Sequence, residues 1–346
     1  MKSDNSLKPS QIQFVGNIPH NHQPVPLPLK QNSEKKTAIV AGAAGFLGSH
    51  LVDRLLGGDW HVVGLDNMQT GSARNLDHLS NNENFKLIHH DIIQPIDHAA
   101  SLIFNLACPA SPPRYQADPV RTLKTSVIGT LNLLELAEKN KAVFVQASTS
   151  EIYGDPLQHP QREDYWGNVN PVGIRSCYDE GKRAAETLCF DFRRSHGLDV
   201  KVARIFNTYG SRMDPQDGRV VSNFIVQALQ GEPITIYGDG SQTRSFCFVD
   251  DLVGGIHGLA KLKPDEAGPI NLGNPDEFNM LELARMVLEQ TGSNSKIVHH
   301  PLPQDDPKKR KPDISRAMAL MGWSPKTNLR DGLAKTIPYF KDCLKH

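Results

Sequence analysis

Tyr178 and Lys182 stand four residues apart in Tyr178-Asp-Glu-Gly-Lys182, which puts them on one face of a helix, one turn from each other. A lysine cation beside a phenol favours the phenolate and lowers its pKa. A phenolate available near neutrality suits the removal of an alcohol proton while hydride leaves the same carbon. Thr149, 29 residues earlier, offers a hydroxyl to the same substrate oxygen. A Tyr-Lys pair at this spacing occurs on many helices, so it carries weight only beside a hydride acceptor.

Gly42-x-x-Gly45-x-x-Gly48 points to such an acceptor. The first glycine permits a tight turn, the second lets a diphosphate approach the backbone, and the third lets helix and strand pack closely. The free N–H groups at the helix start then face the phosphates. The spacing differs from Gly-x-Gly-x-x-Gly, and a glycine trio alone can be incidental. Asp66 adds to it, 18 residues after Gly48 at the end of the next apolar run. A carboxylate there accepts hydrogen bonds from the adenosine ribose hydroxyls and repels a 2′-phosphate, which favours NAD over NADP. Asp91 and Ile92 are expected at the adenine, and Phe46, Leu47, Asn67 and Ala107 complete the expected cofactor contacts.

These residues need strands and helices to hold them. Short apolar runs at 37–41, 61–65, 85–89, 102–107, 142–147 and 200–205 read as strands. Helical patterns at 46–56, from Pro119 to about 139, and at 178–196 alternate with them. Alternation of this kind implies an α/β fold, a Rossmann-like parallel sheet with helices on both faces. Beyond Gly210 the rhythm weakens. Helices are expected at 224–230, 250–262, 279–290 (with Asn279 as cap), 314–320 and 329–340, and short strands at 234–237 and 270–273. The expected organisation is an NAD-binding domain over 35–210, to which 238–270 returns, and a smaller C-terminal substrate lobe from 211–237 and 271–346.

Composition narrows the function classes. Lys plus Arg and Asp plus Glu each total 38 in 346 residues, which argues against a broad nucleic-acid or anionic-membrane surface. Five scattered Cys form no metal-ligand pattern and fit a reducing compartment; no metal site is expected. The chain lacks an apolar run long enough for a membrane helix and a signal-peptide core, so a cytoplasmic protein is expected. Residues 1–34 are polar and interrupted by Pro9, Pro19, Pro24, Pro26 and Pro28; a disordered or extended tail is expected there.

Longer strings go beyond these local signals. Asn105–Pro113, Ser148–Asp155, Glu163–Pro171, Arg175–Arg183, Ala203–Gly210, Asp217–Phe224 and Gln304–Asp313 together resemble the extended short-chain dehydrogenase/reductase family, and within it the branch that decarboxylates UDP-glucuronate. The resemblance runs from about Lys35 to the C-terminus. It implies oxidation of the sugar C4 hydroxyl, with Tyr178 taking the proton, Thr149 holding the oxygen, and Lys182 tuning Tyr178 and binding the nicotinamide ribose. CO2 then leaves from β to the new ketone, C5 is protonated and C4 is reduced again, giving UDP-xylose with NAD regenerated. Because the ketone is the electron sink, no metal is required.

The resemblance also implies a role near C5 for Glu151 and a part in C5 protonation for Arg244. Arg244 can guide a water or hold the carboxylate as readily as donate, since an arginine is nearly always charged. Pro113 and Tyr115 are expected in a stiff loop beside the sugar, Asn207 at the diphosphate and Tyr237 at the uridine. Arg219, Arg244 and Arg310 are candidates for the carboxylate and diphosphate. Arg114 is given no role. Each residue also has a plain reading: Glu151 as a loop carboxylate, Arg244 as a surface ion-pair partner.

Departures and rivals bound this reading. Ala41-Gly42-Ala43 stands where relatives often have Thr-Gly-Gly, which removes one hydroxyl but no required glycine. Nucleotide-sugar 4,6-dehydratases carry Asp-Glu after the catalytic Thr, and here Ser150 replaces that Asp. A 4-epimerase must let the keto sugar turn over, a freedom that sequence does not measure. An NAD-sensing protein without turnover predicts a broken Thr/Tyr/Lys set, and all three residues are present. Members of the family build dimers from helices matching 119–139 and 178–196, so a homodimer is expected.

Overall fold

The computed structural model describes residues 36–301 and 309–345. The expected tail over 1–34 lies outside them. The first half alternates strand and helix: β1 (Lys36–Ala41), α1 (Phe46–Leu56), β2 (Trp60–Asp66), β3 (Phe85–His89), β4 (Leu102–Asn105), α2 (Pro112–Ala117), α3 (Pro119–Lys124), α4 (Thr130–Asn140), β5 (Val143–Thr149), α5 (Ser176–His196) and β6 (Val200–Ile205). The second half supplies β7 (Thr208–Tyr209), α6 (Val220–Gln230), β8 (Ile234–Tyr237), β9 (Thr243–Ser245), β10 (Cys247–Phe248), α7 (Val249–Leu259), β11 (Ile270–Leu272), β12 (Glu277–Asn279), α8 (Met280–Thr291), β13 (Ile297–His300), β14 (Lys309–Arg310), α9 (Ser315–Met321) and α10 (Leu329–Cys343).

Seven strands form one parallel sheet in the order β11-β6-β5-β4-β1-β2-β3. The order reverses beside β1, so the crevice at its carboxyl end is where ligands bind in such sheets. The central strands are mostly apolar because helices cover both faces. Ala38, Val40, Val62 and Phe104 face one buried cluster; Ile39, Ala41, Val63 and Ile103 face the other. That alternation is the period-two rule of a strand with two buried sides.

Local chemistry sets most boundaries. Asn279 caps α8, accepting from the Glu282 N–H while Glu282 accepts from Asn279 in return. The expected helix from Pro119 is continuous but carries a π-helical turn at Thr125–Gly129. A Cβ on Gly129 would lie 2.5 Å from Ile92, so the bulge brings this helix close to the end of β3. Two strand ends differ from expectation. β4 stops at Asn105, whose side chain binds Thr130, Gln146 and the Ala107 N–H and turns the chain away. β5 runs on to Thr149, which pairs with Ile205, so Thr149 ends the strand instead of following it. The expected loop at Pro112–Tyr115 is the short helix α2, started by its two prolines. The small pairings β12-β9-β14 and β13-β8 escape sequence reading because their strands are only two to four residues long.

Candidate active site

A cavity of about 960 Å³ runs along the carboxyl ends of the central strands. At one end lies the glycine turn. Gly42 has φ +80°, and a Cβ there would meet the Leu106 backbone at 2.9 Å. A Cβ on Gly48 would lie 1.9 Å from the Gly42 carbonyl oxygen. Both positions therefore require glycine, and the helix start stays open to a diphosphate. Asp66 accepts N–H bonds from Ala44 (2.9 Å) and Met68 (2.8 Å). Burial pushes its carboxyl above the ordinary value, and the two N–H bonds oppose that shift. A buried carboxylate held at the tip of β2, next to a bare glycine turn, fits the adenosine end of NAD. Asn67, Asp91, Ile92, Phe46, Leu47 and Ala107 line the same end. Asp91 is ion-paired with Arg121 at the start of the helix after α2.

At the other end Thr149, Tyr178 and Lys182 meet as expected. Tyr178 and Lys182 lie on one face of α5, and the Thr149 side chain acts on the Tyr178 hydroxyl in the direction that favours the phenolate. The Thr149 hydroxyl also accepts from the Glu151 N–H at 3.2 Å. The ionisation of Tyr178 departs from expectation. Burial dominates and pushes it well above the ordinary tyrosine value, with Thr149 opposing. Lys182 donates to the Ala147 carbonyl at 2.9 Å, and its ammonium lies 5.8 Å from the Tyr178 ring centroid. A cationic nicotinamide ring would add the field that favours the phenolate.

Glu151 stands in the 3-10 turn Ser150–Tyr153 that follows β5. Arg310 on β14 grips it at both oxygens, at 2.6 and 2.8 Å, and Arg175 reaches it at 3.0 Å. Burial alone would raise its pKa, but the Arg310 and Arg175 cations outweigh burial and hold it below the ordinary value. Asp179, one turn past Arg175, shows the opposite balance. Burial and the Glu151 charge push it up to about 7.

Arg310, read from sequence only as a general anion contact, is thus the direct partner of Glu151. Arg244 sits beside it in register on β9, lines the cavity, and donates to the Thr243 carbonyl at 2.9 Å. Pro113, Asn207, Arg219 and Tyr237 also line the cavity. Tyr115 does not. It lies behind Tyr178 with the two rings stacked at 4.9 Å, so it supports the tyrosine and forms no wall. Sequence reading missed Arg175, although its position one turn before Tyr178 on the same helix was a usable signal. It also passed over Arg114, which pairs with Asp214 at 2.5 Å, both residues lining the cavity.

Comparison with known proteins agrees with this geometry. A family model described as "NAD dependent epimerase/dehydratase family" matches residues 38–273. The chain is 52% identical over 347 residues to UDP-glucuronic acid decarboxylase 4 of Arabidopsis thaliana, covering 99% of this chain and 77% of that protein. It is 52% identical to UDP-glucuronic acid decarboxylase 1 of Danio rerio, covering 92% of this chain and 76% of that one. Among solved structures, UDP-glucuronic acid 4-epimerase from Bacillus cereus, in complex with UDP-glucuronic acid and NAD, superposes with a TM-score of 0.80. It is 29% identical, over 89% of this chain and 99% of that chain.

Proposed function

Because the chain belongs to the NAD dependent epimerase/dehydratase family, and within it to the UDP-glucuronic acid decarboxylases, we propose that it converts UDP-glucuronate to UDP-xylose and CO2. It is an NAD-dependent enzyme acting on a sugar nucleotide. The observation that carries the decarboxylase reading is Glu151, kept ionised by Arg310 and Arg175 next to the Thr149, Tyr178 and Lys182 set.

Tyr178 takes the C4 hydroxyl proton, and Thr149 hydrogen-bonds the same oxygen. When bound, NAD would supply the hydride acceptor for oxidation at C4 and the hydride for the closing reduction. The resulting 4-keto sugar has its carboxylate β to a ketone. When the C5–carboxylate bond breaks, its electron pair enters the enolate. C5 then gains a proton, so each turnover consumes one proton from solvent. Glu151 repels the substrate carboxylate and disfavours its settled state, while Arg310 and Arg175 keep Glu151 charged. Gly42, Gly45, Gly48 and Asp66 would hold the cofactor, and Arg219, Arg244, Asn207 and Tyr237 the UDP moiety.

The test is to mix purified protein with UDP-glucuronate, with and without added NAD, and follow proton NMR and released CO2. UDP-xylose and CO2 in equal amounts, with no net reduced cofactor, is the expected result. UDP-galacturonate without CO2 would overturn the reading in favour of an epimerase. UDP-4-keto-pentose with stoichiometric reduced cofactor would mean that the last reduction is uncoupled.

The surface formed by α3, α4 and α5 supports a homodimer. Val120, Leu123 and Ile128 are 64%, 42% and 39% exposed on it, next to the Tyr178 helix. Among the described residues, no helix is long and apolar enough to cross a membrane. Sedimentation equilibrium is expected to give a two-chain mass. A one-chain mass at all concentrations tested would defeat the dimer.

A further inference from the structure

A run of buried polar groups joins the residue before Thr149 to the residue after Arg310. Ser148 Oγ donates to Glu186 at 2.5 Å, and Arg204 grips Glu186 at 3.0 and 2.8 Å. Arg204 also donates to the Tyr153 hydroxyl at 3.0 Å. The Tyr153 hydroxyl donates to Asn271 Oδ1 at 2.8 Å. Asn271 Nδ2 donates to the carbonyls of Gln161 (3.0 Å) and Asp313 (3.1 Å). Gln161 closes the run: its N–H donates to the Lys311 carbonyl at 2.9 Å, and its Oε1 accepts from the Lys311 N–H at 2.8 Å.

Asn271 is the hinge point of this run. It is fully buried on β11, at the edge of the seven-stranded sheet and in register with Arg204. Its acceptor faces the turn that carries Glu151, two residues before Tyr153. Its two donor hydrogens face the segments that flank Arg310. The turn 150–153 belongs to no sheet, β14 pairs with β9, and the main-chain bridge of Gln161 with Pro312 holds the chain after Arg310 to the Gln161 segment, not to that turn. The amide of Asn271 joins the two, because one end serves each side. An aspartate there would turn acceptors toward two carbonyls, and an alanine would take one partner from each of three groups: the Tyr153 hydroxyl, which keeps Arg204, the Gln161 carbonyl, which keeps the Asp313 N–H, and the Asp313 carbonyl. Asn271 makes no bond to Tyr178 or Lys182 and reaches their helix only through Tyr153, Arg204 and Glu186. Tyr178 and Lys182 ride on α5, with Lys182 tied to Ala147.

We infer that Asn271 is a positioning residue that sets the Glu151–Arg310 pair, and so governs loss of CO2 separately from oxidation at C4. This rests on the decarboxylase reading. The test compares wild type, Asn271→Ala and Tyr153→Phe, each full-length and NAD-loaded, in single turnovers of UDP-glucuronate. Absorbance at 340 nm reports oxidation at C4, and trapped CO2 reports decarboxylation. In Asn271→Ala, CO2 release is expected to slow about 10-fold, and in Tyr153→Phe about 3-fold, the size of one lost buried partner. Oxidation should stay within about twofold in both, so the 340 nm signal accumulates and kcat falls more than KM rises. Oxidation and CO2 release slowing together would overturn the assignment, as would unchanged CO2 release in the folded variants. If Asn271→Ala does not fold, Tyr153→Phe decides alone by the same two signals. A wild type that releases no CO2 overturns the decarboxylase reading itself, and this inference with it.

Discussion

Glu151→Gln is expected to oxidise UDP-glucuronate and then stall, with CO2 release slowed about 10²-fold or more. The reason is charge. Burial by itself would favour a neutral Glu151, but the Arg310 and Arg175 cations keep it ionised. Glutamine keeps the shape and loses the charge. The two guanidinium groups then face the substrate carboxylate without a competitor. A unit charge pair at 4 Å is worth about 4 kcal/mol at an effective dielectric of 20. Even a fraction of that stabilises the carboxylate that must leave. KM should therefore hold or fall while CO2 release collapses, and reduced cofactor should build up on the enzyme. Absorbance at 340 nm, trapped CO2 and NMR of the quenched sugar separate these steps. Because removing one partner of a buried ion pair costs about 3–5 kcal/mol, a melting curve must accompany the kinetics. Full turnover in the folded variant would remove Glu151 from the mechanism.

Tyr178→Phe is expected to stop the reaction one step earlier. Phenylalanine keeps the stack on Tyr115 and loses only the hydroxyl proposed to take the C4 proton. A positioned base contributes about 10²–10⁴-fold, so oxidation should slow by about 10³-fold, with no 340 nm signal on mixing. The glycine turn and Asp66 lie at the other end of the cavity, so the variant should still carry NAD. Burial holds the Tyr178 hydroxyl above its ordinary value, and so the active phenolate grows as pH rises. Wild-type oxidation should therefore speed up with pH, and the variant should lose that dependence. A variant that still oxidises its substrate at the wild-type rate would assign the base elsewhere. The two variants together separate the steps: one yields no oxidised sugar, the other oxidised sugar that keeps its carboxylate.

Much of this site is written locally in the chain. Tyr178 and Lys182 share a face of α5 because four residues make about one helical turn. Gly42, Gly45 and Gly48 make their turn from neighbours a few residues apart, and Asp66 follows because the next strand of a βαβ unit ends there. Short-range spacing alone places all six, and the same holds for the Asn279 cap and the central strands.

Other features depend on contacts that spacing does not encode. Glu151 and Arg310 are 159 residues apart, and they meet only in the folded chain, where Asn271 bonds both Tyr153 beside Glu151 and Asp313 beyond Arg310. Sequence reading therefore placed Arg310 among the anion contacts without pairing it with Glu151. Tyr115 behind Tyr178 and the Arg114–Asp214 pair across the cavity have the same origin. The ionisation of Tyr178 also escaped local reading, since desolvation depends on everything packed around the ring. The chain by itself determined the glycine turn, the shared helical face of Tyr178 and Lys182, and the α/β layers, which rest on helical and strand periodicity. Only the tertiary structure decided which arginines hold Glu151 and how strongly the tyrosine is buried, because both are set by side chains brought together from distant segments.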